Sequence, residues 1–106
     1  MRTLKFDVDG LIVSKNPSCD FDNLIPGTAG YLKAEFSFSS DWNGTVKVVE
    51  FLRGSIEYTP QVLEDGRSCF IPEEVLAYPR FQIRVHGKRE GLRLKTNRLE
   101  VCQKGD

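Results

Sequence analysis

Residues 31–53, YLKAEFSFSSDWNGTVKVVEFLR, decide the fold. From Tyr31 the chain alternates: Leu32, Ala34, Phe36 and Phe38 fall on one side, Lys33, Glu35, Ser37 and Ser39 on the other. A period of two over this length marks a strand with one buried and one wet face. Asp41-Trp42-Asn43-Gly44 interrupts the pattern, and Thr45 begins a β-branched run through Val46, Val48 and Val49, closed by Phe51. Asn-Gly is a strong short turn signal because both residues tolerate positive φ. The stretch therefore reads as a β-hairpin, with Trp42, the sole tryptophan, plugging the end of the core.

Upstream, Leu4, Phe6 and Val8 share a face in a strand from Thr3 to about Val13, with Gly10 as a bulge or kink. Residues 14–30 are rich in Pro, Gly, Asn, Asp and Ser and form a long connection, on which Phe21, Leu24 and Ile25 dock to the core. Downstream, Ser55–Glu64 reads as a strand interrupted by Pro60, turned at Asp65-Gly66 onto a paired strand Arg67–Ile71. Pro72-Glu73-Glu74-Val75-Leu76 has proline at a first helical position and acids in the first turn, and Pro79 ends it. This predicts one helical turn near 72–78 that carries the chain between sheets. Phe81, Ile83 and Val85 alternate inward, and Leu92, Leu94, Leu99 and Val101 continue that set.

No segment sustains a 3.6-residue period. Seven to eight short strands with turns about every ten residues predict one all-β domain over 1–106, an antiparallel two-sheet β-sandwich of immunoglobulin-like or similar type. The expected core is Phe36, Phe38, Trp42, Val48, Phe51, Ile71, Phe81, Ile83 and Val85. A chain of this length buries roughly two-thirds of its unfolded surface, enough for a core without staples. Nothing approaches the roughly 18 apolar residues of a membrane span, and MRTLKFDVDG lacks the apolar core of a signal peptide.

Three cysteines, Cys19, Cys69 and Cys102, are odd in number and widely spaced, which suits free, buried thiols in a reducing compartment. A Cys3His zinc set with His86 lacks the close ligand pairs such sites use, the nearest two being His86 and Cys102. The pairs Asp7/Asp9 and Asp20/Asp22 lack the glycine and distal glutamate of a calcium loop. No metal or other cofactor is expected. His86, the only histidine, sits at an outward parity, and Ser68 and Cys69 lack the elbow that exposes a nucleophile.

Charge is uneven. Residues 1–79 carry seven basic side chains against twelve acids, and residues 80–106 carry eight basic against three, so the parts stand at −5 and +5. Arg84, His86, Lys88, Arg89, Arg93, Lys95 and Arg98 make a basic ribbon, the candidate interaction surface. It holds no aromatic residue for base stacking, so a solvated or oligomer-facing surface is favoured over nucleic acid. Exposed aromatics for a carbohydrate would be Trp42, Tyr31, Tyr58 and Tyr78.

The strings WNGTVKVVEF at 42–51, CFIPEEVL at 69–76, FQIRVHG at 81–87, Thr96-Asn97 and Val101 are similar to small β-sandwich domains from tail and baseplate regions of phages and prophages of Gram-positive bacteria. The resemblance covers about residues 31–101. It implies a non-enzymatic virion structural or tail-associated protein that works by assembly with itself or other tail proteins, with no catalytic residue to carry over. The expected location is the host cytoplasm during assembly and then the virion.

Overall fold

The computed structural model describes residues 1–103, so Lys104 and Asp106 of the charge tally lie outside the described residues. The chain runs β1 (Arg2–Asp9), β2 (Ile12–Lys15), β3 (Leu32–Phe38), β4 (Val46–Arg53), β5 (Ile56–Glu57), β6 (Gln61–Val62), β7 (Ser68–Phe70), α1 (Glu73–Leu76), β8 (Arg80–Arg89), β9 (Leu92–Lys95) and β10 (Leu99–Cys102). These are ten strands among the described residues rather than seven or eight. The excess comes from two-residue edge strands that periodicity cannot register. A four-stranded sheet has the order β2-β1-β3-β7. A six-stranded sheet is built on β4 and β8, and it curls into a half-barrel. β6 and β5 pair successive parts of β4's outer edge, and β9 and β10 do the same for β8.

Residues 31–53 do not form a hairpin. β3 lies in the four-stranded sheet and β4 in the six-stranded one, paired with β8 from Val46↔Lys88 to Leu52↔Gln82. The cause is in the connection. Ser40–Trp42 is one turn of 3-10 helix, and Asn43 follows at φ −59° and ψ 133° before Gly44 at φ +75°. Those angles belong to a type II turn, closed by Thr45 N donating to Trp42 O at 3.2 Å. The two-residue loop of a hairpin on Asn-Gly needs positive φ at both residues. The chain instead steps across to the facing sheet.

Two other pairings differ from expectation. Residues 3–13 form a hairpin, because Gly10 takes φ +57° at the first central position of a two-residue loop and Asp9 pairs Ile12. Asp65-Gly66 does not join paired strands: β6 pairs β4, and β7 pairs β3. Asp65 accepts from Arg67 N, Ser68 N and Ser68 Oγ at 2.8, 2.7 and 2.6 Å. This self-satisfied turn passes the chain from one sheet to the other. The helical turn α1 returns it, as its proline and acids predict.

β1 and β3 run parallel, in register from Arg2↔Leu32 to Val8↔Phe38, so the antiparallel expectation fails at this pair. A parallel neighbour needs a long return, and residues 16–31 supply it. Arg2 fixes that return by donating from Nη2 to Asp20 O and Asp22 O at 2.9 and 2.7 Å, and from Nη1 to Asn23 O at 3.3 Å. Leu24 is buried and Phe21 packs on the core, while Ile25 is exposed.

Both sheets feed one core. Leu4, Phe6 and Val8 enter from β1, Ala34 and Phe36 from β3, Val49 and Phe51 from β4, and Phe81, Ile83 and Val85 from β8. Phe6 stacks on Phe36 at 5.3 Å between ring centres, Phe36 on Phe38 at 6.0 Å, and Phe38 meets Trp42 at 5.2 Å. The core expected from sequence is buried at Phe36, Trp42, Phe51, Ile71, Phe81, Ile83 and Val85. Phe38 is only partly buried, with Lys47 Nζ over its ring at 5.2 Å. Val48 faces out and Val49 faces in. The run Val46-Lys47-Val48-Val49 carries apolar residues on both parities, and only the pairing with β8 fixes the phase.

Three fasteners hold the sheets together. Trp42 Nε1 donates to Gly10 O at 2.8 Å, tying the crossing between sheets to the β1–β2 turn. Its ring lies on Gly87 of β8, where an added Cβ would stand 2.5 Å from Trp42 Cζ3. Asn97, between β9 and β10, accepts from Val13 N at 2.8 Å through Oδ1 and donates from its own N to Leu11 O at 3.3 Å. It joins the edge of the four-stranded sheet to the six-stranded one.

Candidate interaction face

The basic ribbon lies mainly on the outer face of the six-stranded sheet, where β8 runs between β4 and β9. Outward positions alternate with core positions along β8, so Arg84, His86 and Lys88 share this face. The β8–β9 pairing sets Lys95 opposite His86 and Arg93 opposite Lys88. On the other side Glu50, Val48 and Val46 of β4 stand opposite Arg84, His86 and Lys88.

That second pairing changes the chemistry of the ribbon. Arg84 donates to Glu50 Oε2 from Nη2 at 2.5 Å and from Nε at 3.1 Å. Glu57 lies 3.7 Å from the same guanidinium. His86 Nε2 lies against Glu50 Oε1 without the alignment of a hydrogen bond. Burial acts to raise the Glu50 pKa, but the Arg84 hydrogen bond and the neighbouring charges of His86 and Arg84 outweigh it, so the carboxyl sits below its ordinary value. Arg84 and His86 are thus partly enclosed and matched by an acid, and His86 is not the free surface histidine its parity suggests. The signal for this cluster was present: Glu50 and Arg84 are opposite charges in mid-strand, and such residues face each other across neighbouring strands. Finding it required knowing that β4 and β8 are neighbours.

The other ribbon members divide. Lys88, Arg93 and Lys95 are exposed on the β8–β9 hairpin. Arg89 has the opposite parity and leaves the ribbon, lining a hollow with Asp41, Gly10 and Leu11. Arg98 donates from Nη1 to Gly54 O at 3.0 Å, at the far end of β4.

Beside the cations the face is apolar, which the sequence reading missed because it placed Val48 inside. Val46 and Val62 are 63% and 52% exposed, and Val48 is half-buried. With His86, Gly87, Lys88 and Arg93, the valines of β4 line a groove of about 420 Å³. Around the edge, a larger hollow of about 580 Å³ lies between β6 and β7, where Lys33 Nζ sits 5.9 Å from the centre of the exposed Phe70 ring.

The aromatic candidates are scattered. Trp42 is fully buried. Tyr58 is half-buried and accepts from Arg53 Nε at 3.2 Å, and the same guanidinium lies 3.6 Å from the ring centre of Tyr78. Tyr31 is exposed at the start of β3. The thiols are free, but not uniformly buried: Cys102 is exposed and Cys19 and Cys69 are intermediate. Asp7 accepts from Asn16 Nδ2 at 3.1 Å, and Asp20 Oδ1 accepts from Asp22 N at 2.8 Å, so each acid pair has a local structural use. Among the described residues no three His, Cys, Asp or Glu side chains converge as metal ligands, and no helix is long and apolar enough to cross a membrane.

Fold and face together define a two-sheet, mostly β protein with a mixed apolar and basic outer surface. No family model, curated protein or solved structure matches the chain.

Proposed function

We propose that this chain is a non-enzymatic structural or assembly module of a phage or prophage particle, tail- or baseplate-associated, acting through protein–protein contacts with itself or other tail proteins. The observation that carries the contact role is the exposed valine strip, Val46, Val48 and Val62, beside Lys88, Arg93 and Lys95. A sheet face that meets water is ordinarily polar, and a contiguous apolar patch with a polar rim suits a protein partner. The particle setting rests on the resemblance of residues 31–101 to tail and baseplate domains. The residues carrying it act as fasteners here: Trp42 packs on Gly87, and Asn97 joins the sheets. That use suits a scaffold. The finer fold reading, an immunoglobulin-like sandwich, draws support from the single core fed by both sheets.

Two other readings receive less support. Nucleic-acid binding loses Arg84 and His86 to Glu50 and Arg89 to another face. Carbohydrate binding loses Trp42 to the core. Under the assembly reading the protein resides in the host cytoplasm and then in the particle. Induced particles, banded on a density gradient and analysed by quantitative mass spectrometry, should contain the chain in fixed proportion to other tail components. Its recovery only from the soluble fraction would refute the particle setting.

A further inference from the structure

We infer that the outer face of the six-stranded sheet closes on the same face of a second copy of this chain, about a two-fold axis along β4. The inference rests on reading this face as a contact surface and commits that surface to one occupant. The support is the order of side chains across the sheet. Register places Lys95, His86, Val48 and Val62 in one row, and Arg93, Lys88 and Val46 in another. Glu64 follows Val62 on the same side, since Leu63 between them is buried. Leu63 N donates to Lys47 O at 2.9 Å, which continues the β4–β6 register and sets Glu64 opposite Val46. The Val46 row is therefore cationic over β9 and β8, apolar at β4 and acidic at Glu64.

A two-fold axis along the middle of such a gradient brings each end over its opposite. Lys88 of one copy would meet Glu64 of its partner, twice, with Arg93 beside it, and the valine strips would lie face to face. This is the self-complementarity that a closed two-fold contact requires. The charge split along the chain alone suggests a head-to-tail contact, but that arrangement would leave the valine strip in water. The centre of the face tolerates enclosure because Glu50 already answers Arg84 and His86, and an ion pair left intact avoids the cost of a lone buried charge. Four strands at about 4.8 Å and roughly eight residues at about 3.3 Å give a face on the order of 500 Å² per copy. That is at the small end for specific contacts, so the dimer should be weak and reversible.

Sedimentation velocity of the full chain at high micromolar concentration tests this. The wild type should dimerise at about 0.01 M salt and weaken toward about 1 M, as the screening length falls from about 30 Å to about 3 Å. Lys88→Glu/Arg93→Glu and Glu64→Lys should each lose self-association by at least about tenfold, since like charges would then face each other. Mixed together, the two variants should recover a dimer. Val46→Lys/Val62→Lys, at exposed positions, should be monomeric, and circular dichroism would verify that every variant is folded. A monomeric wild type, or folded charge variants that fail to pair when mixed, would overturn the inference. A monomeric chain still found in particles would overturn this contact alone and leave the assembly reading standing.

Discussion

Gly87→Ala tests the join between the two sheets with one added methyl group. Gly87 occupies an inward position on β8 and has no positive φ, so alanine there carries no backbone strain. The cost is steric. The new Cβ would stand 2.5 and 2.6 Å from Trp42 Cζ3 and Cε3, and 3.2 Å from Thr45 Oγ1. Carbon atoms in good contact lie about 3.5–4.0 Å apart, so the indole must withdraw by about 1 Å. It cannot do so freely, because it is fully buried, abuts Phe38 and donates to Gly10 O at 2.8 Å. Overpacking of this kind costs about 1–3 kcal/mol, and the strained or lost hydrogen bond adds about 1 kcal/mol. Together they predict a loss of about 2–4 kcal/mol. Urea unfolding followed by tryptophan emission reads the site directly, since Trp42 is the only tryptophan. The native emission of the variant should also shift to the red. Trp42→Phe in the Gly87→Ala background, with unfolding followed by circular dichroism because the fluorophore is gone, should recover part of the loss by making room. A Gly87→Ala protein within about 0.5 kcal/mol of wild type, with unchanged emission, would refute the packing argument.

Phe36→Ala and Phe81→Ala remove rings that are each 1% exposed, and should each cost about 3–5 kcal/mol in chemical denaturation. A loss below about 1 kcal/mol at either position would contradict its inward parity. Glu50→Gln should destabilise the fold at neutral pH by about 1–3 kcal/mol, by leaving the part-buried Arg84 guanidinium without its counter-charge. Because the folded Glu50 pKa lies below 4.5, its contribution is present above that pH and is lost as pH falls through the lowered value. The stability of the Gln variant should therefore depend less on pH across the acid range, and urea midpoints at several pH values would show equal slopes if the pairing were absent. Burial pushes the Cys69 thiol up to about 12, with Asp65 adding to the shift. Cys102 is exposed and should alkylate well before Cys69 in the native protein, an order that peptide mass mapping would reveal.

What the sequence discloses is parity within a strand, and what it withholds is the neighbour. Phe81-Gln82-Ile83-Arg84-Val85 and Leu32-Lys33-Ala34-Glu35-Phe36 alternate in hydropathy and are buried as they alternate. The α1 turn follows from Pro72, its acids and Pro79. Pairing is less legible, because a tight turn dictates a hairpin only when its φ values suit one. Asn43 at φ −59° and the carboxylate-capped turn at Asp65 do not send the chain back along the strand it leaves. The same gap hid the interaction face. Its cations were visible as a run, but the acid between Arg84 and His86, and the valines beside them, belong to a strand more than thirty residues earlier in the chain.

The divided edges of the six-stranded sheet bear on how the protein can associate. β5 and β6 are two residues each, and β9 and β10 four each, so each side of that sheet ends in two short segments separated by a break. An incoming extended chain finds no continuous row of free amides and carbonyls long enough to template a further strand, and short edge strands are one means by which β proteins avoid edge-to-edge aggregation. Recruitment by strand addition is thereby discouraged at the margins. The broad outer surface between them stays available, and growth outward from the sheet face is favoured over growth at its edges.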